Sequence, residues 1–299
     1  MTTTEKVVRT VITDSLEIGY LEEGPAAGVP VVLLHGWPSD VHDWDRVSRL
    51  LAQCGYRVIV PWLRGFGPTR FRDPGQLRSG QQAALGADLR DFIAALGLER
   101  PIVAGYDWGG RAACVVAALW PSMVRALLSI NGYNIFTIGA SAEPAPAAQE
   151  YRYWYQWYLN TPRGIRGLEK NRRDIVQTLW RLWSPNWAFD DATLDRTALS
   201  FENPDWVAVT VHSYRHRYGN APGDPALEEA EAQLERRPPI TVPTVVLHGA
   251  CDGVTPPEPV ARVNAHFTSY FQYRVIERAG HFLSREAPEA VVDAIRELS

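Results

Sequence analysis

Cysteine, excess positive charge and long apolar runs are scarce or missing in this 299-residue sequence. Its three cysteines, Cys54, Cys114 and Cys251, are widely spaced without a C-x-x-C pair, which argues for a reducing compartment and against disulfides or structural zinc. The net charge of −4 offers no basic footprint for nucleic acid and no polybasic membrane signal. No run reaches the roughly 18 apolar residues of a membrane span, and residues 1–6 lack a signal-sequence pattern. These absences predict a cytoplasmic protein without nucleic-acid or membrane partners.

Short apolar runs bounded by glycine, proline or polar residues recur along the chain. Such runs are typical of parallel strands covered on both faces, and helical patterns such as Leu85–Leu96 lie between several of them. The runs are Val31–Leu34, Val58–Val60, Ile102–Ala104, Ala126–Ile130, Thr244–Leu247 and Arg274–Ile276. Residues 7–12 and 16–20 predict an antiparallel hairpin at one edge. With 46% hydrophobic residues and a length that allows a sizeable core, the chain is predicted to be an α/β protein with a mostly parallel, doubly wound sheet.

The strand rhythm stops between about residue 136 and residue 238. Ala140–Ala148 has the composition of a hinge-like linker, and Arg236–Pro239 marks the return. Between them lie six of the eleven tryptophans: Trp154, Trp157, Trp180, Trp183, Trp187 and Trp206. We predict a core of residues 1–135 and 239–299 with an inserted helical cap of residues 136–238. Most of these rings should form the cap's own core, and some should face a cleft, because pockets lie at domain interfaces and are mostly apolar.

A sharp turn is predicted at Gly105-Tyr106-Asp107-Trp108-Gly109-Gly110, between the short strand Pro101–Ala104 and the small-residue helix Arg111–Leu119. This combination is the nucleophile elbow of an α/β-hydrolase fold, whose glycines permit a strained backbone and close packing. Asp107 stands where a serine would be expected. A serine attacks acyl carbons, whereas a carboxylate is suited to attacking an sp3 carbon and forming an alkyl ester that water can cleave.

Two further residues follow predicted strands and complete a candidate triad. Asp252 follows the strand Thr244–Leu247, and His281 follows the last strand. The order nucleophile, acid, histidine is that of α/β-hydrolases, and catalytic groups of open parallel sheets lie beyond the carboxyl ends of strands. Alone, Asp252 could cap a turn and His281 could be a structural histidine. Their order after Asp107 favours catalysis.

The loop His35-Gly36-Trp37-Pro38 follows the strand Val31–Leu34, where this fold places one amide of an oxyanion hole. We assign that amide to Trp37 and the second to Trp108, the residue after the nucleophile. His35 and His248 each precede a glycine at a strand end and are interpreted as structural, because no carboxylate or histidine spacing supports a metal. Neither a metal nor an organic cofactor is expected.

These motifs resemble those of soluble epoxide hydrolases of the α/β-hydrolase superfamily over essentially the whole chain. His35–Pro38 is similar to the family's H-G-x-P motif, the turn around Asp107 to its nucleophile motif, and Arg64–Thr69 to its R-G-x-G-x-[S/T] loop. The resemblance implies that a small epoxide is hydrolysed to a vicinal diol through an ester on Asp107, with water activated by His281. The residues expected to contact the substrate are His35, Trp37, Trp108, Arg111, Trp154, Tyr158 and Trp183.

Two cap tyrosines bear on the nature of the leaving group. Tyr155 and Tyr214 lie in segments that resemble those carrying the family's two ring-opening tyrosines. Neighbouring alternatives to the first are Tyr151, Tyr153 and Tyr158. Epoxide opening expels an alkoxide that needs a proton at neutral pH, and tyrosine, with a pKa of about 10, can donate one. A halide needs no acid, so two tyrosines facing the cleft favour an epoxide.

Arg111 keeps a dehalogenase open as an alternative. It lies four residues after Asp107, and haloacetate dehalogenases resemble this chain in having an arginine there to hold a substrate carboxylate. The other arginine of their clamp is replaced by Trp108. We favour the interpretation that Arg111 pairs instead with a core carboxylate such as Asp88 or Asp91. A haloacid or haloalkane dehalogenase with the same triad and a non-catalytic binding protein are the alternatives, and a homodimer is compatible with the sequence.

Overall fold

One mixed sheet of nine strands organises the part of the chain that the computed structural model describes, residues 7–138 and 143–299. The strands are β1 (Arg9–Ile12), β2 (Leu16–Glu23), β3 (Pro30–Leu34), β4 (Arg57–Pro61), β5 (Arg70–Phe71), β6 (Ile102–Tyr106), β7 (Ala126–Ile130), β8 (Thr244–Gly249) and β9 (Phe271–Ile276). Their order is β1-β2-β4-β3-β6-β7-β8-β9, with β5 paired to β2. Pairs from β4 to β9 are parallel, whereas β2 pairs antiparallel with β1, β4 and β5. The predicted sheet and edge hairpin are confirmed, although the hairpin begins at Arg9 rather than Val7.

Twelve α-helices accompany the sheet in the described residues. They are α1 (Asp45–Gln53), α2 (Gln82–Ala95), α3 (Asp107–Leu119), α4 (Ala147–Arg152), α5 (Trp154–Leu159), α6 (Pro162–Trp183), α7 (Asp191–Ala198), α8 (Trp206–Arg217), α9 (Glu228–Glu235), α10 (Val260–Asn264), α11 (Leu283–Glu286) and α12 (Pro288–Glu297). Every residue of β6 and β7 is buried, as their continuous apolar runs predict for strands covered on both faces. The central strands therefore lie in the core of the molecule.

Between β7 and β8 the described chain forms helices joined by loops and no further strand of the sheet. The six helices α4 to α9 fall within residues 136–238, the range predicted to form a helical cap. Residues 140–142 of the predicted linker lie outside the described residues, and the cap boundaries remain a prediction. Within the described ranges, no helix combines the length and apolarity that crossing a bilayer requires.

Buried tryptophans join these helices to the sheet. The indole N–H of Trp37, after β3, donates to the Thr210 hydroxyl in α8 over 3.0 Å. The indole N–H of Trp180, in α6, donates to the Pro38 carbonyl over 2.9 Å. A buried donor without a partner costs free energy, so each hydrogen bond stabilises one packing position of its helix on the loop after β3.

Candidate active site

Asp107 lies at the junction of β6 and α3, at the carboxyl end of a central parallel strand. Its φ of +50° is in the left-handed region, which is costly for a residue other than glycine. A Cβ on Gly105 would lie 2.4 Å from the Gly109 carbonyl carbon, and one on Gly109 would lie 2.2 Å from the Leu34 oxygen. The turn therefore requires glycine at both positions. The helix that was predicted from Arg111 begins at Asp107 itself.

Two backbone amides hold one oxygen of the Asp107 carboxylate. The N–H of Trp37 donates to Oδ1 over 2.9 Å, and the N–H of Trp108 donates to it over 2.6 Å. Oδ2 accepts no hydrogen bond from a described residue and lies 3.9 Å from Nε2 of His281. One oxygen is thus held where the carbonyl oxygen of an ester would lie, and the other is free to attack.

Asp252 orients His281 and is itself fully hydrogen-bonded. Its Oδ2 accepts from Nδ1 of His281 over 2.9 Å, so Nδ1 carries the proton. Its Oδ1 accepts from the N–H groups of Val254 and Thr255 over 2.8 and 2.9 Å. The Asn131 side-chain amide donates to Oδ2 over 2.7 Å. Asn131 was missed by the sequence analysis, although its position directly after a predicted strand is a usable signal.

The surroundings of His281 act on its pKa in opposite directions. Burial lowers the pKa, but the charge of Asp252 and its hydrogen bond raise it, and Asp107 adds to the rise, so the pKa lies above its ordinary value. The proton on Nδ1 leaves Nε2 as the basic nitrogen, and Nε2 has no hydrogen-bond partner among the described residues. The ring can therefore accept a proton on the side that faces Asp107.

Tyr155 in α5 and Tyr214 in α8 bring two phenols against the same buried side chain. Their rings meet edge to face at 5.4 Å, and each contacts Trp37, at 5.5 and 5.1 Å. Both are buried, whereas Tyr151, an alternative for the first position, is 75% exposed. Burial raises the pKa of each phenol, with the Asp107 charge adding to the rise, so both stay protonated at neutral pH.

The two hydroxyls differ in their partners. The Tyr155 oxygen accepts a hydrogen bond from Nε2 of Gln156 over 2.8 Å, which leaves its proton free to be donated elsewhere. Oε1 of Gln156 accepts from the Tyr218 hydroxyl over 2.6 Å. The Tyr214 hydroxyl has no partner among the described residues. Gln156 was missed by the sequence analysis; the available signal is a polar residue inside the aromatic run of residues 154–158.

The other cap residues predicted to contact substrate lie in different places. Trp183 packs against the rings of Tyr155 and His281, at 5.1 and 5.0 Å. Trp154 and Tyr158 pack against each other at 6.0 Å, and none of the three is among the described residues that line the cleft around Asp107. The contact between these two rings lies within α5.

His35, also expected to contact substrate, is buried with both ring nitrogens occupied. Its Nδ1 lies 3.0 Å from the Gly36 carbonyl, and its Nε2 accepts from the N–H of Leu63 over 3.1 Å. Burial lowers the pKa of the ring, which favours the neutral form. Its position matches the structural interpretation of this histidine, because no nitrogen is left for a substrate.

Arg111 pairs with no carboxylate of the described residues, and the interpretation that it pairs with Asp88 or Asp91 is wrong. Asp88 accepts two hydrogen bonds from Arg64, each over 2.6 Å, and Asp91 accepts one from Arg90 over 2.7 Å. Arg111 instead lines the same cleft as Asp107, a space of about 160 Å³.

Comparison with known proteins shows the family to which this fold belongs. A family model described as alpha/beta hydrolase fold matches residues 29–288. The crystal structure of a "putative epoxide hydrolase" from Klebsiella pneumoniae is 42% identical, covers 97% of this chain and 96% of its own, and superposes with a TM-score of 0.94. Epoxide hydrolase A of Mycobacterium tuberculosis is 26% identical over 97% of this chain and 96% of its own. Human epoxide hydrolase 4 is 24% identical over 92% of this chain and 74% of its own. The chain is therefore an epoxide hydrolase-like member of the α/β-hydrolase fold family.

Proposed function

We propose that this protein hydrolyses an epoxide to a vicinal diol through an ester on Asp107. The observation that carries the proposal is a carboxylate with one amide-bound and one free oxygen, near two buried phenols that keep their protons. The relatives named epoxide hydrolases support the same reaction class. In this proposal the cap of residues 136–238 supplies the phenols, and the core supplies the triad.

The first step forms the ester. Oδ2 of Asp107 attacks a ring carbon, and the bond between that carbon and the epoxide oxygen breaks. Tyr155 and Tyr214 both donate hydrogen bonds to this oxygen, and one of them transfers its proton. Because the Tyr214 hydroxyl is buried without a partner, the substrate oxygen also relieves an unfavourable burial.

The second step cleaves the ester with water. Nε2 of His281 takes one water proton, and the water oxygen bonds to Cγ of Asp107 while negative charge develops on Oδ1. The amides of Trp37 and Trp108 already bind Oδ1, so they stabilise that charge. Oδ2 then leaves with the product and is protonated by His281. The second water proton remains on the new Asp107 carboxyl group and returns to the deprotonated tyrosine.

A single turnover in ¹⁸O-labelled water tests the ester. With enzyme in excess, the first diol carries an oxygen from Asp107, so it should be unlabelled and the label should appear in the Asp107 peptide. A labelled first diol would indicate direct attack by water and overturn the proposal. His281→Gln should stop at the ester, with a mass increase of one whole epoxide on the Asp107 peptide. His42→Gln is the control, because His42 lies outside the cleft and should not trap the ester.

A haloacid dehalogenase is the second candidate, favoured by the unpaired Arg111 in the cleft. It would use the same ester but expel a halide, which needs no proton from the tyrosines. A panel of epoxides, fluoroacetate and chloroacetate, assayed for diol and for halide, separates the two activities. Halide release without diol formation would replace the epoxide proposal.

A further inference from the structure

Two arginines contact the ring of Phe136 in the wall of the cleft. Arg111 lies one turn after Asp107 in α3, and Arg217 is the last residue of α8. Their guanidinium carbons lie 4.7 and 4.5 Å from the ring centre, so the two cations are no farther apart than the sum of these distances. Both side chains line the cleft that contains Asp107. Core and cap thus each contribute one cation to the same place.

Neither guanidinium has an anionic partner among the described residues. Arg111 is only 8% exposed, and burial together with the charge of Arg217 lowers its pKa. Asp107 forms no ion pair with either arginine, and its Oδ1 is bound by the two backbone amides. Contact with an aromatic ring offsets part of the cost of burying a cation, but the charge of Arg217 still acts unfavourably on the buried Arg111. An anion between them would remove that cost.

The rest of the cleft lining is also positively charged. Its described lining contains four arginines and two acidic residues: Arg111, Arg217, Arg237 and Arg262, and Asp107 and Glu258. The whole chain has a net charge of −4, so this positive region contrasts with the rest of the protein and concentrates small anions. Arg237 and Arg262 are exposed, and salt screens their attraction. Arg111 is buried and Arg217 is half-buried, so the pair on Phe136 is the place where an anion would be held.

We infer that Arg111 and Arg217 bind a carboxylate of the substrate, which makes the substrate a short epoxy acid. Planar guanidinium groups match the geometry of a carboxylate. Arg111 follows Asp107 by one helical turn, a rise of about 6 Å, so few bonds can separate the carboxylate from the attacked carbon. The epoxide in this inference rests on the proposed function, whereas the anion site does not.

Glycidate and glycidamide test the inference, because they differ in charge at the end that the arginines would bind. Wild-type protein should favour glycidate by roughly tenfold or more in kcat/KM. Arg111→Gln and Arg217→Gln should each lower the acid-to-amide ratio by roughly 10- to 100-fold, the range of a lost hydrogen bond between charged groups. Arg90→Gln is a matched control: Arg90 also lies over a ring, that of Trp120 at 4.8 Å, but outside the cleft. It should keep the wild-type ratio.

The ratio separates binding from a structural role. Equal losses on both substrates would assign the two arginines to structure and overturn the inference. A wild-type ratio near one would also overturn it, while leaving epoxide hydrolysis intact.

A binding measurement without turnover separates failure of this inference from failure of the proposed function. Propionate keeps the carboxylate and chain length of glycidate but lacks the epoxide. Its dissociation constant, measured by calorimetry or NMR titration, should rise roughly tenfold or more in Arg217→Gln. If neither epoxide is opened yet propionate binds through the arginines, the anion site stands and the epoxide assignment fails. If propionate binding does not depend on the arginines, the anion site is wrong even where epoxides are opened.

Discussion

The two aspartates of the site, Asp107 and Asp252, have chemically identical carboxylates but differ in the hydrogen bonds that their oxygens accept. Asp252 accepts hydrogen bonds on both oxygens, from two backbone amides, Asn131 and His281, so neither oxygen is free to attack. Asp107 has donors on one oxygen only. At the residue scale, hydrogen-bond occupancy therefore separates the candidate nucleophile from the acid that orients His281.

Removing each cap phenol should affect activity and stability differently. In Tyr214→Phe no hydrogen bond is lost, so the free energy of unfolding should be unchanged or higher, while alkylation of Asp107 slows by roughly 10²- to 10³-fold. Tyr155→Phe should slow alkylation and also destabilise the fold by about 1–3 kcal/mol, because it leaves the buried Gln156 amide without its partner. Rapid-quench alkylation and urea unfolding measure the two effects.

Tyr151→Phe is the control for both measurements, since Tyr151 is 75% exposed and should change neither. A Tyr155→Phe/Tyr214→Phe double variant that alkylates Asp107 with an epoxide at the wild-type rate would contradict the proposed role of the phenols.

Ester hydrolysis should depend on pH through His281. In the proposed mechanism the neutral ring is the base. Burial lowers its pKa, but the charge and hydrogen bond of Asp252, with a smaller contribution from Asp107, raise it above its ordinary value. Asp252 keeps its charge when Asp107 is esterified, so hydrolysis of the ester should slow as pH falls through the midpoint set by this pKa. Asp252→Asn removes the charge that raises the pKa and leaves the burial that lowers it, so the midpoint should move down.

The ion pair between His281 and Asp252 stabilises the fold fully at pH values below the pKa of the unfolded histidine. This contribution is lost as pH rises through the raised pKa of His281 in the folded protein.

Stopped-flow measurement of ester hydrolysis between about pH 5 and 9 checks this dependence. Alkylation by Asp107 is the internal control, because it does not need a neutral His281. A midpoint that stays in place in Asp252→Asn would contradict the assigned cause.

At the level of secondary structure, the strand–turn–helix unit around Asp107 packs directly against the loop after β3. Gly109 lies against the Leu34 and His35 carbonyl oxygens, which puts the amides of Trp108 and Trp37 on the same carboxylate oxygen. Helices α5 and α8 contribute Tyr155 and Tyr214, which pack on Trp37. The candidate oxyanion hole and acid site therefore depend on contacts between elements rather than on any one of them.

Gly109→Ala should disrupt this packing. The new Cβ would lie 2.2 Å from a backbone oxygen that cannot rotate away, so we expect the free energy of unfolding to fall by about 1–3 kcal/mol. We also expect kcat to fall, because the shift would displace the amides that bind Asp107. Gly75→Ala is the control, because its Cβ would meet only the flexible Asp73 side chain, at 3.3 Å. Urea unfolding and kcat compare the two. Equal stability and turnover in both variants would show that the close approach is not required.

At the scale of the whole molecule, the parallel sheet brings distant residues together. Trp37 follows β3, Asp107 follows β6, Asn131 follows β7, Asp252 follows β8 and His281 follows β9. These strands are successive parallel neighbours in the sheet, so their carboxyl ends lie along one edge. The helices between β7 and β8 supply Tyr155 and Arg217, which line the cleft, and Tyr214, which packs against Tyr155 and Trp37.

Local sequence patterns were sufficient to predict the sheet, the turn around Asp107 and the order of the candidate triad. Burial on both faces leaves continuous apolar runs, and parallel strands must end at a common edge, so these features can be inferred from local patterns. Three features are visible only in the folded chain: Gln156 binds the Tyr155 hydroxyl, Tyr158 does not line the cleft, and Arg111 and Arg217 both contact Phe136. Such contacts depend on packing between segments that are far apart in the sequence, as in the hydrogen bond from Trp37 to Thr210, which are separated by 173 residues. No local pattern records which face of a cap helix meets the core, because apolar faces that pack within the cap and apolar faces that pack against the sheet have the same composition.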